Sequence, residues 1–508
     1  MFNKQIKILP LLLLSFTHLF GQTKQVALKK YFSALAESGQ FNGNVLVAEN
    51  GAIIYEQSFG YADFEKKIAN TNNTAFVIAS LSKTLTATAI LQLSQSGKLK
   101  ISDPVKKYLP WFPYEKITIK HLLSHTSGIP PYNAFFDSIR KQQPERVFTN
   151  ADFMDGVVSN PKPLLYQPGD KGRYDNVNFI VLALLIEKVS GMMHPDYITR
   201  YVLRPANMTN THFLSMRSQY SDSNKVPLAY AYLYPHRYSD SLVKATQVPY
   251  IVNYWSAYNF SGFGDYVSTV HDLLNYDKAY YNGKLLPASL INEAFTPVKL
   301  NNGNNNPGNF GLGWEVSTDT TFGKAVYHNG NATGINCILI RNISQHQTII
   351  IFDNIHYTNA QPLGFAALKI LNGVQVSLPK KSLAAIYARV LLKDGAVAAS
   401  DTVNSLKQDT LHYQLSEEEL NYLGYDFMGG SNNPNPFHFP EERKYQEAYE
   451  TFKLNTELFP NSWNAYDSYG EILLKMGHKN EAVNMYKKSV ELNPKNEGGK
   501  KVLEQLLK

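Results

Sequence analysis

The sequence holds one cysteine, Cys337, in 508 residues, which excludes an internal disulfide framework. Beyond the N-terminus it has no run of about 18 uninterrupted apolar residues, so no transmembrane helix is expected there. Neither H-E-x-x-H nor H-x-H-x-D-H occurs, and no metal or other cofactor is expected. G-x-S-x-G is also missing, which argues against the α/β-hydrolase route to a serine nucleophile. The formal charge is +7, but Lys and Arg are dispersed, and no dense basic block marks a nucleic-acid face. What is present is an ordinary globular balance, 44% hydrophobic and 18% charged, which rules out bulk disorder and coiled coil. An aromatic share of 13% suggests large cores and aromatic-lined clefts. At roughly 100–200 residues per domain, two to four domains are expected.

Residues 1–22 read as a signal peptide. Lys4 and Lys7 form a short positive region before Ile8 to Phe20, a mostly apolar stretch of 13 residues. That stretch is too short to span a bilayer comfortably, which needs about 20 residues. An exported product, periplasmic or extracellular, follows. A first large domain is then placed at 23–375. It opens with a helix-like run and GNVLVAENGAIIYEQSFG, where Asn50-Gly51 between apolar runs predicts a hairpin. Strand-like runs return in AVYHNG, INCILIRN and TIIIFDN at 325–353. Strands at both ends with helices between predict an α/β (α+β) sandwich, one antiparallel sheet flanked by helices plus a helical subdomain.

Residues 376–415 read as a helical linker and 416–508 as an all-α segment of two tetratricopeptide (TPR) repeats with a capping helix. Ala448, Phe452 and Pro460 recur 34 residues later as Ala482, Tyr486 and Pro494, the period of that repeat. Gly470 lies 12 residues before Ala482, whereas Gly424 lies 24 before Ala448, which implies a 12-residue insertion around GGSNNPNPFHFP.

The chemistry begins with FVIASLSKTLTATAILQLSQSG, which sets Ser80 and Lys83 three apart. On a helix, i and i+3 share a face, so Lys83 can reach the Ser80 hydroxyl. A helix start at Ser80 would favour negative charge at its N–H. To serve as a base near pH 7, Lys83 must fall about 2–3 units from ~10.4, a differential of ~3–4 kcal/mol. Burial and a polar partner can supply that. S-x-x-K recurs at Ser138, Ser159, Ser241 and Ser377, so the pair is weak alone. Two further elements follow it in order. Tyr174-Asp175-Asn176 offers a hydroxyl for proton transfer and an amide for substrate and Lys83. Y-x-N also occurs at Tyr280, Tyr327 and Tyr357. His328-Asn329-Gly330 is the one H-x-G in the chain, in a strand-like run. Gly330 carries no side chain to block a substrate at the strand edge, and a backbone N–H there can complete an oxyanion hole. His121 and His125, at i and i+4, read as hydrogen-bonded helix-end histidines in the absence of a third metal ligand.

The ordered set resembles the serine β-lactamase-like, penicillin-recognising family, nearest its class C β-lactamase, D,D-peptidase and esterase branch. There the order is S-x-x-K, Y-x-N, then [K/H]-x-G. The stretches GKLKISDPVKKYLPWFP, ITIKHLLSHTSGIP, QPGDKGRYDN, SGFGDYVSTVHDLLNY and FGLGW add to the resemblance, which covers about 25–372. It implies that Ser80 is acylated and that Lys83 and Tyr174 share the proton transfers. Asn176, His328, Gly330 and Asn331 would bind substrate, with the N–H groups of Ser80 and Asn331 as the oxyanion hole. His328 and Asn329 stand where a β-lactamase usually has lysine and threonine, and Asp265 where many members have glycine. Neutral histidine weakens the case for lactam hydrolysis and favours ester or D-amino-acid peptide substrates. The competing expectation is a non-catalytic receptor for penicillin or wall fragments. In either, the partner is a small molecule or peptide, with a protein partner for the repeats.

Overall fold

The computed structural model describes residues 24–221, 228–236, 238–429 and 443–508. The expected leader, and all but the first residue of the expected insertion, lie outside the described residues. The chain forms two compact units. One runs to Leu233 and resumes over Lys244–Ser377, and the other joins Tyr234–Val243 to Leu378–Lys508.

The first unit carries the expected antiparallel sheet. Helix α1 (24–37) leads into a hairpin of β1 (Gly43–Glu49) and β2 (Ala52–Phe59). Its two turn residues, Asn50 and Gly51, have φ of 50° and 75°, the left-handed pair that a two-residue hairpin turn demands. The remaining strands come late: β3 (Glu315–Val316), β4 (Ala325–Ala332), β5 (Ile335–Asn342) and β6 (Gln347–Asp353). The order is β3-β4-β5-β6-β1-β2, antiparallel throughout. The pairing of β1 with β6, Gly43 opposite Asp353 through Glu49 opposite Gln347, closes the chain ends of the unit into one sheet.

Both faces of this sheet are covered, so its central strands are apolar almost throughout rather than alternating. Leu46, Cys337, Leu339, Ile350 and Phe352 face one core, which also holds buried residues of α2 (Ser82–Gln95), α3 (Val177–Ser190) and α4 (Val270–Tyr281). Val45, Val47, Ile338, Ile340, Ile349 and Ile351 face a second core shared with α1 and α5 (Ala360–Leu371). Successive residues point to opposite faces of a strand, which is why the two sets interleave. Among the described residues no single helix is long and apolar enough to cross a membrane.

One ion pair is sealed between α4 and the sheet. Arg341 Nη1 lies 2.7 Å from Asp277 Oδ1, each side chain 1% exposed. The guanidinium sits over the rings of Tyr280 and Tyr281, and Thr348 donates to the same carboxylate. Removing one partner leaves the other charge buried and unpaired, which costs about 3–5 kcal/mol. Arg341→Met should therefore lower the urea midpoint of this unit strongly. Adding Asp277→Leu should recover part of the loss, because no orphan charge then remains.

The second unit is helical. The stretch 376–415 contains Leu383–Asp394 and Ala396–Leu406, whose buried Tyr387, Ala388, Ala399 and Val403 share one core with Leu420, Phe452 and Tyr486 further on. The other helices are Glu417–Phe427, Tyr445–Leu458, Trp463–Lys475, Lys479–Leu492 and Glu497–Leu507. A Cβ on Gly424 would lie 2.5 Å from the Phe452 ring, and one on Gly470 2.9 Å from the Tyr486 ring. The same glycine–aromatic contact thus occurs twice. Tyr238 from the excursion at 234–243 packs 5.3 Å from the Phe427 ring and accepts from Arg389 at its carbonyl. Nothing in the residue pattern foretold that this excursion belongs to the helical unit.

Candidate active site

Ser80 lies in the middle of a 3-10 turn, Ala79–Leu81, that runs directly into α2. Ala79 has φ of 43°, a left-handed conformation that costs a non-glycine residue energy and tends to cluster at functional sites. The turn is pinned from behind at Ile78. Its N–H donates to the Tyr266 carbonyl, and its carbonyl accepts from Leu81 N–H and the Cys337 thiol. Cys337 is fully buried, and burial pushes its thiol pKa up, so it serves as packing. A Cβ on Gly330 would meet the Ile78 carbonyl at 2.1 Å and the Cys337 sulfur at 2.7 Å. The reason for glycine there differs from the one expected: it clears room for the Ser80 turn against the strand rather than for a substrate.

Lys83 is fully buried one helical turn from Ser80. Its Nζ makes contacts of 3.0 Å to Ser80 Oγ, 2.8 Å to Asn176 Oδ1 and 3.0 Å to the Phe263 carbonyl. Two of these oxygens, those of Asn176 and Phe263, can only accept. A neutral amine satisfies both with its two N–H groups and turns its lone pair on Ser80, whose hydroxyl then donates. A protonated amine donates to all three. The site thus holds Lys83 in either state without moving a heavy atom. Burial drives its pKa well below the ordinary lysine value, while the charges of Asp265 and then Asp175 pull it back up.

Tyr174 contributes the third proton-bearing group. Burial pushes the pKa of its hydroxyl above the ordinary phenol value, and its interaction with Ser80 pulls it part of the way back. Lys83 Nζ lies 4.8 Å from the centre of the ring. The residue is 41% exposed overall. Behind it stands His125, 1% exposed, its ring centre 4.4 Å from that of Tyr174. His125 Nδ1 accepts from the Asp175 N–H and faces the Asn178 amide nitrogen at 3.1 Å, while the His125 carbonyl accepts from Arg173 N–H. His125 therefore laces 173–175 in place. Burial, then the charge of Lys83, hold its pKa well below the ordinary imidazole value.

Asn176 precedes α3 directly. His328 and Gly330 lie on β4, where β3 pairs only with Val326 and Tyr327 and so stops short of them. His328 is 1% exposed. Its Nδ1 lies 2.6 Å from the Asn329 carbonyl and so carries the proton. Burial, then Lys83, drive the His328 pKa down to about 3, so the ring is neutral where a cationic lysine would be permanent. Its ring centre is 6.5 Å from that of Tyr174. Asn331 follows on the same strand, opposite Asn336, with its side chain exposed.

The structure therefore gathers Ser80, Lys83, Tyr174 and Asn176 into direct contact, and His328 and Gly330 around them. The i, i+4 histidines part company. His121 accepts from the Thr118 N–H at the start of helix Ile119–Leu123, while His125 lies beyond its end. Residue reasoning missed the Phe263 carbonyl, the charge of Asp175 and the place of His125. The first is a backbone atom, with no side-chain signature to find.

A β-lactamase family model matches residues 28–369. Penicillin-binding protein 4* of Bacillus subtilis strain 168 is 34% identical over 402 residues, 75% of this chain and 86% of that protein. Two solved structures are similar in fold. A D-stereospecific amidohydrolase from Streptomyces superposes with a TM-score of 0.51 at 23% identity, over 69% of this chain and 97% of that one. EstCE1, a hydrolase with promiscuous acyltransferase activity, superposes with a TM-score of 0.55 at 22% identity, over 70% and 99%.

Proposed function

The chain belongs to the β-lactamase family of serine hydrolases, and from that premise we propose an exported hydrolase that works through an acyl-enzyme on Ser80. The observation that carries the reading is the lysine stripped of water against the serine hydroxyl, held by two carbonyl oxygens that leave its lone pair on Ser80. Ser80 Oγ attacks the substrate carbonyl as its proton passes to Lys83, with Tyr174 beside it as second proton carrier. The N–H groups of Ser80 and Asn331 hold the oxyanion. Asn176 and the β4 edge at His328 and Gly330 hold the substrate. The leaving group departs with a proton from Tyr174 or Lys83, and water releases the acid in the reverse sense. A receptor that only held a ligand would have no use for a desolvated lysine.

The substrate we favour is an ester or a D-amino-acid amide or peptide. Neutral His328 offers no charge for a substrate carboxylate, which counts against efficient β-lactam turnover. The helices of 416–508 we read as two TPR repeats with a cap, supported by the twin glycine–aromatic contacts, and we assign them a protein partner. Residues 1–22 we read as the export signal, giving a periplasmic or extracellular enzyme of the class C-like branch.

The test is covalent trapping. Incubation with a p-nitrophenyl ester, and separately with a fluorescent penicillin, should add the acyl mass to the peptide containing Ser80. An ester adduct that forms and decays is the expected result. A persistent penicillin label beside ester turnover places the chain nearer the D,D-peptidases. No adduct from either reagent overturns the acyl-enzyme.

A further inference from the structure

Behind Lys83 lies a closed ring of buried polar groups that the chemistry above does not use. Asp265 is fully buried. Its Oδ2 accepts from the Gly262 N–H and its Oδ1 from the Gly264 N–H, each at 3.0 Å. These two donors bracket Phe263, whose carbonyl accepts from Lys83. The carboxylate therefore clamps the turn that presents one of the two oxygens directing the lysine lone pair.

The clamp is tied to α2 from the other side. Thr86 lies three residues beyond Lys83 on that helix, and its hydroxyl donates to the Gly262 carbonyl at 2.8 Å. That hydrogen is thereby used, so the Thr86 oxygen accepts from His194 Nε2–H at 3.0 Å. His194 Nδ1 then carries a lone pair. It is buried without a hydrogen-bond partner and sits 3.9 Å from Asp265 Oδ2. The turn is held at its start as well: Ser261 exchanges hydrogen bonds with the buried Asn150. A Cβ on Gly264 would lie 3.7 Å from the Ala79 carbonyl carbon, so the turn also packs beside the residue that precedes Ser80.

We propose that Asp265 is a positioning residue: its carboxylate fixes the Phe263 carbonyl that aims Lys83 at Ser80. Its charge also favours the ammonium of Lys83, against the larger effect of burial, which gives its variants a pH readout. The inference rests on the Ser80–Lys83 reading above. The ionisable groups around Asp265 are Lys83 on α2, His194 on the neighbouring helix His194–Ile198 and Tyr266 next in the chain. Asp175 is the other carboxylate acting on Lys83. Burial raises the Asp265 pKa to about 6, against the N–H donors that lower it, so the group is charged above that pH. Burial holds His194 at about 3, so it stays neutral across the working range.

The sign follows from the opposite charges of the two groups. A negative charge beside Lys83 favours the ammonium. Removing it lets the lysine lose its proton at lower pH. Asp265→Asn keeps the shape but sets an amide N–H against one of the two glycine N–H groups. With p-nitrophenyl acetate, its plateau kcat should fall about 10–100-fold for a misplacement of this size, with KM unchanged. The acid limb of kcat/KM should move to lower pH. Thr86→Val cuts the tie to the Gly262 carbonyl and leaves the charge, so its plateau should fall with the acid limb in place. A wild-type plateau in Asp265→Asn overturns the positioning, and a lowered plateau with an unmoved limb overturns the electrostatic role. Should Asp265→Asn not fold, a Thr86→Val plateau equal to wild type overturns the positioning by itself. Ser80→Ala separates the two readings: if it is inert while Asp265→Asn behaves as wild type, only this inference falls.

Discussion

Ser80→Ala should reduce p-nitrophenyl acetate turnover by roughly 10⁵–10⁶ in kcat, the scale on which removal of a serine nucleophile acts. The Ser80 hydroxyl is the atom on which Lys83 and Tyr174 both converge. With it gone, the lysine lone pair faces a methyl group and has no proton to take. No neighbour replaces it. Cys337 lies behind the turn, with its thiol donated to the Ile78 carbonyl and its pKa raised by burial. Ser82, on the following turn, is fully buried with an unpartnered hydroxyl and so cannot reach a substrate in the cleft. Water attack within the intact oxyanion site leaves a residue of catalysis, about 10³–10⁴ above the uncatalysed rate. The thermal transition should stay where it is or rise, because residues kept for chemistry are often not those best for stability. Steady-state kinetics beside a melting curve checks both. Turnover within tenfold of wild type would remove Ser80 from the chemistry.

The parts of the site that were legible in sequence are those set by local geometry. Ser80 and Lys83 meet because a helical turn brings i to i+3, and the 3-10 start at Ala79–Leu81 does not disturb that. Asn50-Gly51 announces its hairpin because few other residues accept two left-handed conformations in a row. The order of the three motifs carried the rest, since spacing alone left five serine–lysine pairs open. What did not show in the sequence has equally local causes. His121 and His125 have helical spacing, but the helix ends at Leu123 and His125 turns to φ of 57°. That swings its ring under Tyr174 instead of beside His121. Gly330 was read as room for substrate, whereas the obstacle is a carbonyl 252 residues earlier in sequence, at Ile78. Asp265 stood out as a departure from glycine, but its work is done on backbone N–H groups, which have no residue code.

Lys83→Met should cost about 10³–10⁵ in kcat/KM, above the usual 10²–10⁴ for one general base, because the same lysine also orders Asn176 and the Phe263 carbonyl. Methionine fills the volume but leaves two buried acceptors unpaired, so a modest loss of stability accompanies the loss of rate. The pH profile separates the base from the scaffold. A base must be unprotonated, so wild-type activity is present above the Lys83 pKa and is lost as pH falls through it. Burial sets that pKa well below the ordinary lysine range, which puts the acid limb far below where a surface lysine would place it. His328, at about 3, stays neutral and does not shape the limb. Lys83→Met should keep a small rate with that limb removed. Lys83→Arg should be as slow, since a guanidinium does not give up its proton in this range. The double variant Ser80→Ala, Lys83→Met should be little slower than Ser80→Ala, because the proton that the lysine takes as a base is the serine's. An additive loss in the double variant would give Lys83 a second role independent of Ser80, and an unmoved acid limb in Lys83→Met would assign the base to Tyr174 instead.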